Sequence, residues 1–277
     1  MRKNMKDISF DLMNLFKKYG VDEKQILKEN VNLDYLYALS GQRENVIEWF
    51  PFRQDARLLQ VGADYGALTG LYARKVKEVH VLEENRGMIE VVKARCPDSD
   101  NIWFEEESLK DHSLRQAGSY DYVMLIGSLT APYEPGLKAA KALLKPDGTL
   151  ILAVCNRFGM KYWAGCQREE NCLSGKQLKA LLGEDGTARW YYPMPDYRIP
   201  ITIYSEDYLP KKGDLTHTIT AYDYPKYIRM DIGEKYDEVC EDGEFETYAN
   251  SFLVIWKKNG APAQKKDGQN GGQDDAD

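Results

Sequence analysis

The apolar run Arg57-Leu58-Leu59-Gln60-Val61 breaks off at Gly62-Ala63-Asp64-Tyr65-Gly66, and helical periodicity begins at once with Ala67-Leu68-Thr69. Strand, glycine loop and helix in that order open a βαβ unit, and residues 53–156 keep repeating the rhythm. Short apolar runs fall at Arg57–Val61, Glu78–Leu82, Ile102–Phe104, Tyr122–Ile126 and Thr149–Cys155. Helical patterns fill Ala67–Val76, Arg86–Arg95 and Gly136–Leu144 between them. The alternation predicts an α/β fold with a mostly parallel sheet. Lys145-Pro146-Asp147-Gly148 adds a turn before the fifth strand, since Pro fixes φ and Asp-Gly permits a tight reversal.

The chemistry concentrates where the first two strands end. Gly62 and Gly66 let the backbone approach a ligand closely, and the helix behind them offers free N–H groups. About twenty residues on, Val79-His80-Val81-Leu82 ends in Glu83-Glu84. An acid at that place accepts both hydroxyls of a ribose, as in nucleoside binding at a doubly wound sheet.

The flanks read differently. Residues 1–52 are predicted to form a helical extension, with Ile8, Leu12, Leu15 and Phe16 on one face and Gly20 as a stop. A second helix follows Asp22, and a third is expected over Arg43–Phe50, ending before Pro51. The main domain is expected to run over residues 53–257, its second half rich in tyrosine. That half holds a helix at Ser174–Leu182 capped by Ser174, and strands at Trp190–Tyr192, Ile199–Tyr204 and Phe252–Trp256. Residues 258–277 are nearly devoid of apolar side chains and are expected to be a disordered tail.

Composition narrows the function classes. The formal charge of −7 speaks against a nucleic-acid partner. No apolar run is long enough for a membrane span, and the opening residues do not resemble a secretory signal, so none is expected. The five cysteines form no CxxC pair, which suggests reduced packing thiols in a cytoplasmic setting. The three histidines stand far apart, so no metal site is expected, and His112 and His217 read as surface residues.

Taken with the loop, the acid and the turn, residues 53–156 resemble the class I S-adenosylmethionine-dependent methyltransferases. Three further stretches are similar to a bacterial methyltransferase-like group: Leu39-Ser40-Gly41-Gln42-Arg43-Glu44-Asn45-Val46-Ile47-Glu48-Trp49, Asn156-Arg157-Phe158-Gly159-Met160-Lys161-Tyr162-Trp163-Ala164-Gly165, and Ile203-Tyr204-Ser205-Glu206-Asp207-Tyr208-Leu209-Pro210. The resemblance implies a Rossmann-like sheet of seven strands with antiparallel C-terminal strands, and S-adenosylmethionine as cofactor. Its glycine loop falls on Gly62, Ala63, Asp64 and Gly66, and its ribose acid on Glu83, with Glu84 as the register alternative. The position after the third strand, near the adenine, falls among Glu106, Glu107 and Ser108. Gly127 and Ser128 stand where the cofactor's methionine part and the acceptor usually meet, and no Asn-Pro-Pro-Tyr follows. That group commonly accompanies surface-polysaccharide and glycosyltransferase systems. The association implies a small-molecule or glycan-linked acceptor, methylated at oxygen, and a glycan-assembly protein as partner.

Two departures bear on the site. The family usually has an acid where Gln60 stands and a glycine where Asp64 stands. An Asp64 carboxylate facing the ligand would oppose the cofactor's own carboxylate, and Asp64→Gly would then tighten binding. These departures, with a short Cys166–Cys172 cover, keep open a non-catalytic scaffold with a degenerate cofactor site. A nicotinamide-dependent oxidoreductase shares the loop and the acid, but not the Lys145–Gly148 turn or the flanking likenesses. Asn156, Arg157, Lys161 and Tyr162 follow the fifth strand at the carboxyl edge and are the expected substrate contacts, the cations holding a phosphate or carboxylate. No general base is assigned; an aspartate, glutamate or tyrosine near Gly127–Ser128 or Asn156 would serve.

Overall fold

A computed structural model describes residues 7–223 and 229–259; the expected tail, beyond its first two residues, lies outside the described residues. Before the first strand come three helices, α1 (Ser9–Tyr19), α2 (Glu23–Glu29) and α3 (Leu33–Leu39). Asp22 caps α2 by accepting the Gln25 N–H, and Asn32 caps α3 by accepting the N–H groups of Asp34 and Tyr35. The helix expected over Arg43–Phe50 is instead a 3-10 turn over Gly41–Val46, followed by an irregular stretch. Tighter winding there buries both Arg43 and Val46, three residues apart on one face.

The alternating region then runs β1 (Arg57–Val61), α4 (Thr69–Lys75), β2 (Glu78–Leu82), α5 (Arg86–Arg95), β3 (Ile102–Glu105), α6 (Leu109–Arg115), β4 (Tyr120–Ile126), α7 (Tyr133–Leu143) and β5 (Leu144–Asn156). After it come α8 (Met160–Trp163), β6 (Cys172–Leu173), α9 (Gly175–Leu182), β7 (Gly186–Met194), β8 (Thr202–Ser205), α10 (Ile232–Glu241), α11 (Phe245–Tyr248) and β9 (Ser251–Lys258). The sheet order is β3-β2-β1-β4-β5-β9-β7-β8, with β6 paired to β5 off that path. Strands β1 to β5 are parallel, and β9 enters antiparallel between β5 and β7. The expected seven-strand arrangement is therefore present, with β8 added at one edge and the short β6 beside β5.

Burial explains the strand sequences. All seven residues of β4 are buried, as a central parallel strand covered on both faces requires, so its apolar run is continuous rather than alternating. Two apolar clusters fill the two faces of the sheet, one under α7, α9 and the C-terminal helices, the other under α4 and the stretch 46–52. Lys145–Gly148 does not simply precede β5. Leu144 pairs with Tyr120 and Thr149 with Tyr122, so the turn bulges out of a strand that starts earlier than expected. Buried Asp121 holds this bulge by accepting from Lys145 Nζ (2.8 Å) and Arg57 N–H (2.8 Å) and pairing with Arg53.

Candidate functional site

Strand order reverses between β2-β1 and β4, so the crevice of an open α/β sheet falls at the carboxyl ends of β1 and β4. The loop leaving β1 is strained. Gly62 and Gly66 have φ of 83° and 80°, and between them Asp64 and Tyr65 also sit at positive φ, 43° and 56°. A left-handed non-glycine residue costs roughly 1–2 kcal/mol, so two in succession persist only where neighbours over-determine them.

Those neighbours come from both sides. Arg43, 1% exposed, reaches from the 3-10 turn to pair with the Asp64 carboxylate. Arg95 of α5 donates to the Tyr65 carbonyl at 2.6 Å and the Ala38 carbonyl at 2.8 Å, and pairs with Glu23. The Tyr65 hydroxyl accepts the Ile8 N–H at 3.3 Å, and its ring packs among Leu12, Phe16, Leu39 and Val91. The N-terminal helices are thus fastened directly to the loop. Beneath it, the Gln60 amide donates to the carbonyls of Gly62 (3.0 Å) and Ala63 (3.3 Å) while its oxygen accepts from the Thr69 hydroxyl (2.9 Å). A carboxylate can only accept, so Gln60 provides a fastening that an acid there would not.

Glu83 stands against the same loop. Its Oε2 accepts the Ala63 N–H and its Oε1 the Asn85 N–H, both at 2.9 Å. Each oxygen has a second lone pair for a ligand hydroxyl, whereas Glu84 is exposed. Across the crevice, a Cβ on Gly62 would lie 3.3 Å from the Ser128 Cβ, and the buried Ser128 Oγ has no hydrogen-bond partner among the described residues. An orphaned hydroxyl facing a glycine loop marks a place where a ligand group completes the bonding. Gly127, at φ 67°, makes the turn that brings Ser128 there. These four features fit a nucleoside-containing cofactor.

The third-strand positions are more occupied. Glu107 is bonded by His112 Nδ1 at 2.6 Å and by Arg115, and these donors hold its carboxyl below the ordinary range. Ser108 caps α6, accepting the Asp111 N–H at 3.2 Å. Glu106 pairs with Arg86 on the surface. His112 is buried rather than exposed, because its second ring nitrogen meets the Tyr120 hydroxyl at 2.7 Å. Glu105, Glu107 and His112 lie close enough to share a cation, yet both imidazole nitrogens already have partners. His217 is exposed, as expected.

The expected substrate contacts separate into two groups. Asn156 is fully buried, its amide donating to Thr247 O (2.8 Å) and Ala249 O (2.7 Å) and its oxygen accepting the Phe158 N–H (3.0 Å). Lys161, also 1% exposed, pairs with Asp196 at 2.9 Å and Asp223 at 2.8 Å. Neither presents a free group to a substrate; both fasten the C-terminal half to the end of β5. Tyr162 lies with its hydroxyl 3.6 Å from Cys172 Sγ. Arg157 alone of the four is exposed, and it lines a cleft of about 230 Å³ with Tyr133, Arg168, Glu169, Cys172 and Gln177.

Sequence reasoning missed the network around Lys161. Asp196 also accepts from the Tyr222 hydroxyl (2.5 Å) and the Arg198 N–H (2.9 Å), while the Arg198 guanidinium pairs with Glu169 and lies 4.9 Å from the Tyr37 ring centre. Asp196 and Arg198 sit on the loop 195–201 between β7 and β8, part of which was expected to be strand. Two prolines so close together, Pro195 and Pro200, were the available signal for a loop.

Comparison with known proteins agrees with this architecture. Residues 59–152 match a family described as a methyltransferase domain. A ubiquinone biosynthesis O-methyltransferase of Escherichia coli O7:K1 is 26% identical over 164 residues, covering 54% of this chain and 68% of that protein. A protein of the same name from Xanthomonas campestris pv. campestris is 29% identical over 125 residues, covering 44% of this chain and 52% of that protein. The chain thus spans between about half and two thirds of the length of these curated relatives. Phosphoethanolamine N-methyltransferase 1 of Haemonchus contortus, solved with phosphoethanolamine and S-adenosylhomocysteine, superposes with a TM-score of 0.54 at 13% identity. That superposition covers 96% of this chain and 52% of the nematode one.

Proposed function

We propose that this chain, whose residues 59–152 match a methyltransferase domain and whose fold is that of the class I methyltransferases, transfers a methyl group from S-adenosylmethionine to a small-molecule acceptor. The observation that carries the reading is the Glu83 carboxylate bonded to the Ala63 N–H beside the glycine loop, with Ser128 Oγ unpartnered opposite. Glu83 would accept the ribose hydroxyls, and the loop Gly62, Ala63, Asp64 and Gly66 would lie along the methionine part together with Gly127 and Ser128. Ser108 and Glu107 border the adenine side.

The cofactor supplies an activated methyl group; the chain's task is to align the acceptor and exclude water. The names of the curated relatives support oxygen as the methylated atom. The cleft beside Arg157 is the acceptor side, and the carboxylates of Glu169 and Glu170 are its groups able to take a proton from an acceptor hydroxyl. The flanking stretches support a glycan-linked acceptor and a glycan-assembly partner.

Calorimetric titration with S-adenosylmethionine and S-adenosylhomocysteine, with NAD as control, tests the reading. Micromolar binding of the first two is expected, weakened about 10- to 100-fold in Glu83→Ala, since hydrogen bonds to a charged group contribute about 1.5–3 kcal/mol. Absence of heat from a chain shown to be folded would overturn it in favour of a non-catalytic methyltransferase-like partner protein.

A further inference from the structure

We propose that Cys155 and Cys172 form an oxidisable dithiol, the target of a peroxide, whose disulfide fastens the segment 166–173 beside the cleft. Strand β5 outruns β4. Ile126, the last residue of β4, pairs with Ala153, and beyond it the lane beside β5 is taken by β6 through Cys155↔Cys172 and Asn156↔Leu173. The segment entering β6 therefore crosses the exit of β4, where Asn171 Oδ1 accepts the Ala131 N–H at 3.3 Å.

Adjacent strands lie about 4.8 Å apart, within the Cα separation of roughly 4.4–6.8 Å that a disulfide spans. The two residues face each other in the β5–β6 pairing and both cysteines are free, while Cys172 Sγ donates to the Glu169 carbonyl at 3.3 Å and meets the Tyr162 hydroxyl at 3.6 Å. Cys172 is half-buried and lines the cleft, while Cys155 is buried behind it. This division suits an attacking and a resolving thiol. The neighbouring Cys155 side chain, with the Tyr162 hydroxyl and Lys161, lowers the Cys172 thiol against its burial and the Glu169 carboxylate, and Cys155 is raised. Thiolate character and access select the sulfur that is oxidised first.

The chemistry balances with hydrogen peroxide as oxidant. The Cys172 thiolate attacks one peroxide oxygen, an S–O bond forms as the O–O bond breaks, and the departing hydroxide is protonated to water. The Cys155 sulfur then attacks the Cys172 sulfenic sulfur; an S–S bond forms, the S–O bond breaks, and a second water leaves with the Cys155 proton. Two thiols are oxidised and one peroxide is reduced.

This inference is independent of methyl transfer, and its test needs no activity. The reduced full chain is treated with equimolar hydrogen peroxide, its free thiols are titrated under denaturing conditions, and the disulfide is located by peptide mass spectrometry. Five titratable thiols before treatment and two fewer after, with the peptides of Cys155 and Cys172 joined, is the expected result. In Cys155→Ser a sulfenic acid captured by dimedone at Cys172 is expected, and in Cys172→Ser no joined pair. Oxidation falling first on Cys96, Cys166 or Cys240, or a wild-type chain that keeps all its thiols, would overturn the proposal. Circular dichroism of each variant shows whether it is folded.

Discussion

Asp64→Gly is expected to destabilise the chain by about 1–4 kcal/mol net, because leaving a buried charge without its partner costs about 3–5 kcal/mol. The stranded charge is Arg43, 1% exposed and paired with Asp64 from the 3-10 turn. Glycine would relieve the left-handed backbone at φ 43°, a gain of roughly 1–2 kcal/mol that offsets only part of the loss. Arg43→Met combined with Asp64→Gly removes both charges, so the double variant is expected to be more stable than Asp64→Gly alone. Urea unfolding checks this through the midpoint at unchanged slope, and titration with S-adenosylmethionine reads the loop directly. An Asp64→Gly chain of wild-type stability that binds the cofactor more tightly would show that the carboxylate faces the ligand after all.

The same pair shows where sequence stops informing. β1, β2 and α5 end at the residues that periodicity indicates, because each carries its burial pattern within its own few residues. Asn85, whose side chain accepts the N–H groups of Gly87 and Met88, is a local cap of the same kind. Asp64 instead finds its partner 21 residues away and Lys161 finds Asp196 35 residues away. Nothing near either residue encodes a distant partner. The place of the glycine loop and of Glu83 against it was legible, since both are set by a strand end. The partners of Asn156 and Lys161 were not legible, because a strand end at the carboxyl edge also anchors the C-terminal half. Gln60 looked like a lost acid, and its role as a donor to Gly62 and Ala63 emerges only once the loop's carbonyls are located.

The largest effect outside the loop is expected at Lys161. Lys161→Met leaves Asp196 and Asp223 short of a cation in a buried place and should cost about 3–5 kcal/mol. Its pH dependence separates a structural ion pair from a substrate contact. Burial alone would raise the Asp196 carboxyl, but Lys161 and Arg198 hold it well below the ordinary range. A depressed folded-state pKa gives stability that is complete above the unfolded value of about 3.9 and is lost as pH falls toward the folded one. Lys161 is raised, so its share is complete below its unfolded value of about 10.4 and is lost only as pH rises through its folded one. With Lys161 gone, the Asp196 pKa moves upward, so acidification relieves the variant while it does not help the wild type. The wild-type advantage in urea is therefore expected to be greatest near neutral pH and to shrink as pH falls toward 4. A Lys161→Met chain of unchanged stability with a raised KM for its acceptor would instead make Lys161 a substrate contact, and the network around Asp196 would then belong to the acceptor site.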